Sequence, residues 1–377
     1  MKIKSTFSTN KITLDAFNQV KRELDSSAKL IMFFASTNYD FRELTTLFHE
    51  HFKGSEVLGI TTTGEITPQG FNEFSLAATS FSGADVRAKG VLMEDIEKYP
   101  VFYKGNLSKA LREVGIDPNS YGSTQNGMGF VFPNGLISAE EKMLSIVNSL
   151  FKNEGFPLFG GTAGDNAKFV ETLVSYNGNT SSKGGLVAFL KSDSDFAVHK
   201  ENIFQSSGKS MKITKANPEE RTIYEINGRK ASAEYARLLG VSESSLPNYF
   251  MSNPLGRKIN DELWIASPFQ VLPNGGIQFY CQIFQDSVVY LLEPKPAIET
   301  LQESVEQFKN KFQHIEGVVA VNCILRKLQF ENQKIVSVLN KELQKLPNLC
   351  GFSSYGEQLD KNQLNQTLIL LGFGKKK

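Results

Sequence analysis

Three times along this 377-residue chain a short apolar run ends in the same way, with glycine, one or more hydroxyl side chains, a second glycine and a carboxylate. The copies are Gly59-Ile-Thr-Thr-Thr-Gly-Glu65, Gly160-Gly-Thr-Ala-Gly-Asp165 and Gly351-Phe-Ser-Ser-Tyr-Gly-Glu357, the middle one a residue shorter. Glycine lets the backbone bend sharply or approach another group without a clash at Cβ, and Ser and Thr carry a donor and an acceptor on a short arm. An ionised carboxylate in such a bend can hold an amine through a charge-assisted bond. Two readings therefore stand side by side. Either the bends contact a nitrogen-bearing ligand, or they are strand ends whose hydroxyls satisfy loop backbone, preserved by internal duplication.

Around these bends the pattern alternates. Leu14, Phe17, Val20 and Leu24 keep helical spacing, Lys29 to Ala35 is a strand-length apolar run, and Phe41, Leu44, Leu47, Phe48 and Phe52 mark a second helix. Glu56 to Ile60 reads as a strand. Phe74 to Phe81 and Val86 to Leu92 flank Ser82-Gly83-Ala84-Asp85, which has the residue chemistry of a hairpin. Met128 to Phe132 is another strand, Ser138 and Glu141 have capping-box spacing, and Phe169 to Tyr176 with Gly185 to Leu190 forms a second expected hairpin around Asn177-Gly178.

The polar run Lys191 to Asp195 suggests a boundary, giving an amino-terminal domain 1–194 and a carboxy-terminal domain 195–377. Beyond it the spacing predicts strands at Lys212 to Lys215 and Thr222 to Ile226, a helix at Ala231 to Leu239 and a strand-rich stretch from Leu263 to Leu292. The end alternates again, with helices at Ile298 to Phe312 and Ile335 to Leu346 and strands at Gly317 to Leu325 and Asn365 to Phe373. The fold class expected is α/β, as mixed α+β, with two domains of mixed sheets flanked by helices.

A balance of 41 basic and 40 acidic residues gives a net charge of +1 and nothing to draw the surface to nucleic acid. No apolar run reaches membrane length and the first residues lack an apolar leader, so a cytoplasmic protein is expected. Cys281, Cys323 and Cys350 are far apart, each among apolar neighbours, which suits reduced, buried thiols.

The same three bends, with Phe132-Pro-Asn-Gly-Leu136, Tyr224-Glu-Ile-Asn-Gly228 and Asn322-Cys-Ile-Leu-Arg326, are where most of the chain resembles the FIST family, named for F-box and intracellular signal transduction proteins. The resemblance implies a non-enzymatic sensory protein that binds a small ligand, such as an amino acid or related metabolite. It would signal to a separate partner such as a histidine kinase or cyclic-dinucleotide enzyme, with no cofactor of its own. Some similar proteins are haem-based nitric-oxide sensors regulating a histidine kinase or cyclic-di-GMP enzyme, which makes haem an alternative. A third reading is a protein-interaction scaffold without a small ligand. Asn134 stands where an Asp is common, and Ala266 where an Arg often precedes the strand-rich stretch.

The ligand-binding residues expected are Thr62, Thr63, Thr162, Ser353 and Ser354 as hydroxyl contacts and Glu65, Asp165 and Glu357 as amine acceptors. Arg326 is either a carboxylate clamp or a helix cap. If haem binds, His199 is its axial ligand; His49 and His51, two apart on an expected helix, face different ways. The bend at Gly351 is one residue off the Gly-x-Ser-x-Gly elbow with no histidine downstream, and no complete phosphate-binding glycine loop exists, so neither a serine hydrolase nor a nucleotide enzyme is indicated.

Overall fold

The computed structural model describes residues 1–152, 155–259 and 262–377, which form two compact units. The first holds Met1–Lys200, Leu301–Asn362 and Leu368–Lys377, and the second Glu201–Thr300 with Gln363–Thr367. The compact units thus differ from the linear partition 1–194 and 195–377, because most of the chain after Leu301 returns to the first unit.

The first unit is built from three copies of one plan. The first copy runs β1 (Lys2–Ser8), α1 (Thr13–Glu23), β2 (Leu30–Ala35), α2 (Phe41–His51), β3 (Glu56–Thr61), then β4 (Glu65–Thr67), β5 (Gly70–Asn72) and β6 (Leu76–Ser82). The second runs β7 (Arg87–Met93), α3 (Lys104–Glu113), α4 (Tyr121–Thr124), β8 (Gly127–Pro133), α5 (Glu140–Asn148), β9 (Leu158–Gly161), β10 (Val174–Tyr176), β11 (Asn179–Ser181) and β12 (Gly185–Lys191). After β13 (Asp195–Asn202) comes the second unit, a mixed layer of β14 (Phe204–Asn217), β15 (Thr222–Ile226), β16 (Arg229–Lys230), α6 (Ala231–Leu239), β17 (Leu255–Ile259), β18 (Glu262–Ala266), β19 (Pro268–Val271), β20 (Ile277–Phe279) and β21 (Val288–Pro294). Its antiparallel strands pack Ile213, Ile223 and Leu291 against Ala231 and Tyr235 of α6. The third copy runs α7 (Ala297–Lys309), β22 (Phe312–Cys323), α8 (Ile324–Asn332), α9 (Val336–Leu343), β23 (Leu349–Ser354), β24 (Glu357–Leu359), β25 (Asn362–Leu364) and β26 (Thr367–Lys376).

Each copy builds one six-stranded sheet, and the orders correspond strand for strand: β1-β6-β2-β3-β10-β11, β7-β12-β8-β9-β24-β25 and β13-β26-β22-β23-β4-β5. One pair in each is parallel, β2 with β3, β8 with β9 and β22 with β23, joined by a helical crossover. The last two places are filled from another copy. The hairpin of the first copy completes the sheet of the third, that of the third completes the second, and that of the second completes the first. The exchange is cyclic and closed.

Leu30–Ala35, Gly127–Pro133 and residues 317–321 of β22 are apolar and buried throughout, as strands covered on both faces must be. One face of β2 lies under α1 and α2, whose Phe17, Val20, Phe41, Leu44 and Phe48 cover Ile31 and Phe33. Asp40 starts α2 by accepting the Glu43 N–H at 2.9 Å. The opposite faces meet at the middle, where the Phe352 ring stacks on Phe34 at 5.0 Å and lies 6.2 Å from Phe132, one ring from each copy.

The mixed α/β class agrees with the sequence reading; several elements do not. Strands β6 and β7 do not form the hairpin expected across Ser82 to Asp85, since β6 pairs β1 and β2 while β7 pairs β12 in another sheet. The turn residues mark the passage between two sheets. The hairpin at Asn177-Gly178 joins β10 to β11, and Gly185 to Leu190 pairs β7 and β8 instead. Ser138 has φ +48° and α5 starts one residue later than a capping box allows, at Glu140 with Ala139 as cap and no side-chain cap bond. The strand expected to reach Leu325 ends at Cys323, and α8 follows without a break. Cys281, Cys323 and Cys350 are all buried. Among the described residues no helix is long and apolar enough to cross a membrane.

Candidate functional site

Each bend lies where the chain leaves the parallel strand of its own sheet to enter another, so the exchange brings all three together. Their backbones bond directly. Thr63 N–H donates to Ser353 O at 3.0 Å, Ser353 N–H to Gly64 O at 2.8 Å, Thr162 N–H to Gly356 O at 2.8 Å, Tyr355 N–H to Thr162 O at 3.1 Å and Gly164 N–H to Thr61 O at 2.9 Å. The leading glycines explain the repeat in part. A Cβ at Gly160 would stand 1.7 Å from Val131 O, and one at Gly351 1.8 Å from Ala320 O, both main-chain atoms of the neighbouring parallel strand.

The nine residues singled out from sequence are all buried and mostly serve one another. The Thr62 hydroxyl donates to Glu65, and that of Ser354 to Glu357 at 2.9 Å, the same side-chain tie in the first and third copies. The other Glu65 oxygen accepts Ser75 N–H at 2.9 Å and its hydroxyl at 2.7 Å. Thr63 Oγ1 donates to Ser353 O at 2.8 Å, Thr162 Oγ1 accepts from Gln358 Nε2 at 2.8 Å, and Ser353 Oγ accepts from Asn322 Nδ2 at 3.4 Å. Carboxylates offered to an amine by the sequence reading are thus engaged by donors of the same chain. Burial without a cation in contact pushes the Glu65 carboxyl up to about 7, against the downward pull of its Thr62 and Ser75 bonds and of the Lys327 charge.

The second bend departs from the plan. In the first and third copies the glutamate pairs at once with the receiving sheet, Glu65 opposite Phe352 and Glu357 opposite Gly161. In the second, the corresponding place opposite Ile60 belongs to Val174, and residues 166–173 are inserted after Asp165. Asn166, Ala167 and Phe169 have φ of +55°, +59° and +53°. Such left-handed conformations are costly for residues with a Cβ. Asp165 over-determines them by accepting the N–H groups of Phe169 at 3.0 Å, Val170 at 2.6 Å and Glu171 at 3.1 Å. The Tyr355 hydroxyl adds a fourth donor, and burial and the adjacent carboxylate raise that phenol far above its ordinary range, so it stays protonated. At the far end Asn134 accepts the Thr172 hydroxyl at 2.7 Å and donates to Thr172 O at 2.6 Å. Phe169 stacks on Tyr355 at 5.1 Å, while Phe169 and Val170 stand 58% and 79% exposed.

Under this loop lies a cavity of about 480 Å³ lined by Thr37, Asp40, Arg42 and Thr61 of the first copy and Asp165, Lys168 and Glu171 of the second. Arg42 reaches across its mouth to Glu171 at 3.1 Å. A second cavity, of about 580 Å³, lies between α8, α9 and the first hairpin, lined by Phe71, Glu73, Lys327, Phe330, Lys334 and Val336. Sequence reading named Asp165 alone among these lining residues. Asp40 and Arg42 belong to a recognisable helix start, Asp40-Phe-Arg-Glu43, but only the exchange of strands sets them opposite the loop.

Arg326 lies on α8 and is 1% exposed, its Nε donating to Asn322 Oδ1 at 3.0 Å and its guanidinium 5.0 Å from the Phe330 ring centre. It lies neither at the helix cap, which is Cys323, nor in the lining of either cavity. His199 lies on β13, half-buried, with its ring 6.3 Å from that of Phe308, and it lines neither cavity. Among the described residues no three His, Cys, Asp or Glu are grouped to hold a metal ion.

Comparison with known proteins places this architecture. The FIST N domain matches residues 29–229 and the FIST C domain residues 231–360. No curated protein matches the chain. FIST domains are signal-transduction sensor domains and are not known as catalytic ones. With the two domain models matching end to end over most of its length, this chain belongs to the FIST family.

Proposed function

We propose that this protein binds a small zwitterion, an amino acid or related metabolite, in the cavity beneath the 166–173 loop and passes its occupancy to a separate signalling protein. One observation carries the reading: where the threefold plan is broken by an inserted loop, a cavity of about 480 Å³ collects cations, Arg42 and Lys168, and carboxylates, Asp40, Asp165 and Glu171. That volume lies within the range of small-molecule pockets, and interspersed charges of both signs suit a ligand carrying both. Thr37 and Thr61 supply hydroxyls at the same wall. The buried Thr62, Thr63, Glu65, Thr162, Ser353, Ser354 and Glu357 hold the junction behind it.

Transmission follows from the way the loop is held. A ligand that pairs with Arg42 competes with Glu171, and one that reaches Asp165 competes with the loop amides. Either shifts the balance between loop conformations by its differential affinity. The exposed Phe169 and Val170 are what a partner would read. A histidine kinase or cyclic-dinucleotide enzyme is the partner class the family suggests.

A thermal-shift screen of amino acids and polyamines tests the reading, since a ligand of the native state raises the melting temperature by mass action. The expected result is a concentration-dependent rise that Arg42→Ala and Asp165→Asn reduce. Stabilisation indifferent to both substitutions would remove this cavity as the site.

A further inference from the structure

The cavity of about 580 Å³ between the third copy and the first hairpin occupies the counterpart of the loop cavity: both lie between the helix that follows one copy's parallel strand and the segment received from the next. Each is spanned by one ion pair between copies, Arg42 with Glu171 there and Lys327 with Glu73 here. The two pairs differ in burial. Arg42 is 58% exposed, whereas Lys327 is 15% exposed and Glu73 48%. A largely buried ammonium needs an anion, and a half-exposed carboxylate gives up its place easily because water receives it.

Beside this lysine the mixed lining has one apolar stretch, formed by Phe71, Phe330 and Val336. Phe71 and Phe330 face one another with ring centres 6.3 Å apart, and Val336 lies beyond. Phe330 is fixed from behind by the Arg326 guanidinium, 5.0 Å from its centre. The second glycine of the first bend, Gly64, leaves the lysine its channel, since a Cβ there would stand 3.1 Å from Lys327 Cε. Glu331 supports the ammonium from α8 at 3.3 Å, and Lys334 adds a second positive charge to the lining.

We propose that this cavity is a second binding site, specific for a small aromatic monocarboxylate whose acid group takes the place of Glu73 on Lys327 while its ring lies against Phe71 and Phe330. Glu73 is then an internal stand-in for the ligand. Its release removes one tie between the third copy and the first hairpin, which carries Glu65 and stays held by β23 and by the bonds of Asn340 to Phe71. The inference is independent of the reading of the loop cavity.

Isothermal titration of the full chain with phenylacetate, and with phenylacetamide as the uncharged isostere, tests it. Expected are saturable binding of the acid, none of the amide at equal concentration, and no change in Arg42→Ala. Glu73→Gln removes the competitor and tightens binding about two- to fivefold, the worth of an ion pair whose carboxylate partner is half exposed. Lys327→Met abolishes binding with an unaltered circular-dichroism spectrum, and Ser337→Trp, at an exposed lining position, fills the mouth and abolishes it without touching the lysine. The proposal is overturned if neither wild type nor Glu73→Gln binds phenylacetate, if the amide binds as well as the acid, or if binding survives Ser337→Trp and Lys327→Met.

Discussion

The phenolic hydroxyl of Tyr355 donates to the carboxylate of Asp165, tying the third bend to the loop inserted after the second. The same carboxylate accepts three successive loop amides, so one acid sets the conformation of residues 169–171 and one phenol from a distant part of the chain holds that acid.

Removing the phenol should loosen the loop before it loosens the fold. Tyr355→Phe keeps the ring stacked on Phe169 and withdraws a hydrogen bond to a charged group, at a cost of about 1.5–3 kcal/mol. Hydrogen exchange should accelerate first at Phe169, Val170 and Glu171, with strands β8 and β9 little changed. Equal acceleration throughout would mean that the tie is global.

Glu65 makes stability depend on pH. The folded chain holds its proton up to about 7, against 4.5 for an ordinary glutamate, so stability falls as pH rises from about 4.5 through 7 and is level above. The full span corresponds to ~3 kcal/mol. Urea midpoints between pH 5 and 8 should show this decline in the wild type and its loss in Glu65→Gln. A Glu65→Gln profile parallel to the wild type would assign the decline elsewhere.

The leading glycines of the second and third bends should be intolerant of a single methyl. In Gly160→Ala and Gly351→Ala the new carbon would meet a carbonyl oxygen of the adjacent strand at 1.7 and 1.8 Å, and a main chain inside a sheet cannot yield as a side chain can. A loss of about 3 kcal/mol or more is expected in each. Gly105→Ala, on α3 with open space around it, serves as the control and should stabilise by about 0.5–1 kcal/mol.

Arg326 should not be replaceable by lysine. Its Nε bond to Asn322 and its placement over Phe330 need a planar, delocalised cation, so Arg326→Lys should cost about 2 kcal/mol in chemical denaturation. A neutral outcome would show that charge alone suffices there.

The bends were legible in the sequence because glycine and hydroxyl residues at strand ends are local requirements. Most strands and helices were legible too, since the apolar spacing of Phe17, Val20 and Leu24 or the unbroken run Leu30–Ala35 reflects burial directly. What escaped is which strands pair. Ser82-Gly83-Ala84-Asp85 turns the chain as its chemistry demands, yet β6 and β7 go to different sheets because longer-range partners decide pairing. Arg42 and Glu171 lie 129 residues apart, and no local pattern in either segment announces the cavity they span. The carboxylates were found as a set, but only the fold separates Glu65 and Glu357, which pair at once with a receiving sheet, from Asp165, which governs a loop.

Because every hairpin is lodged in a neighbour's sheet and the last returns to the start of the circuit, the number of modules in this protein is fixed. A linear repeat array grows or shrinks by whole units, with end caps sealing whatever length results. Here a fourth module would have no host for its hairpin, and loss of one would strip a sheet of two strands and leave a raw edge for aggregation. Diversity among proteins built this way must therefore accumulate as loop insertions and as whole domains spliced between modules, the two kinds of addition that this chain displays.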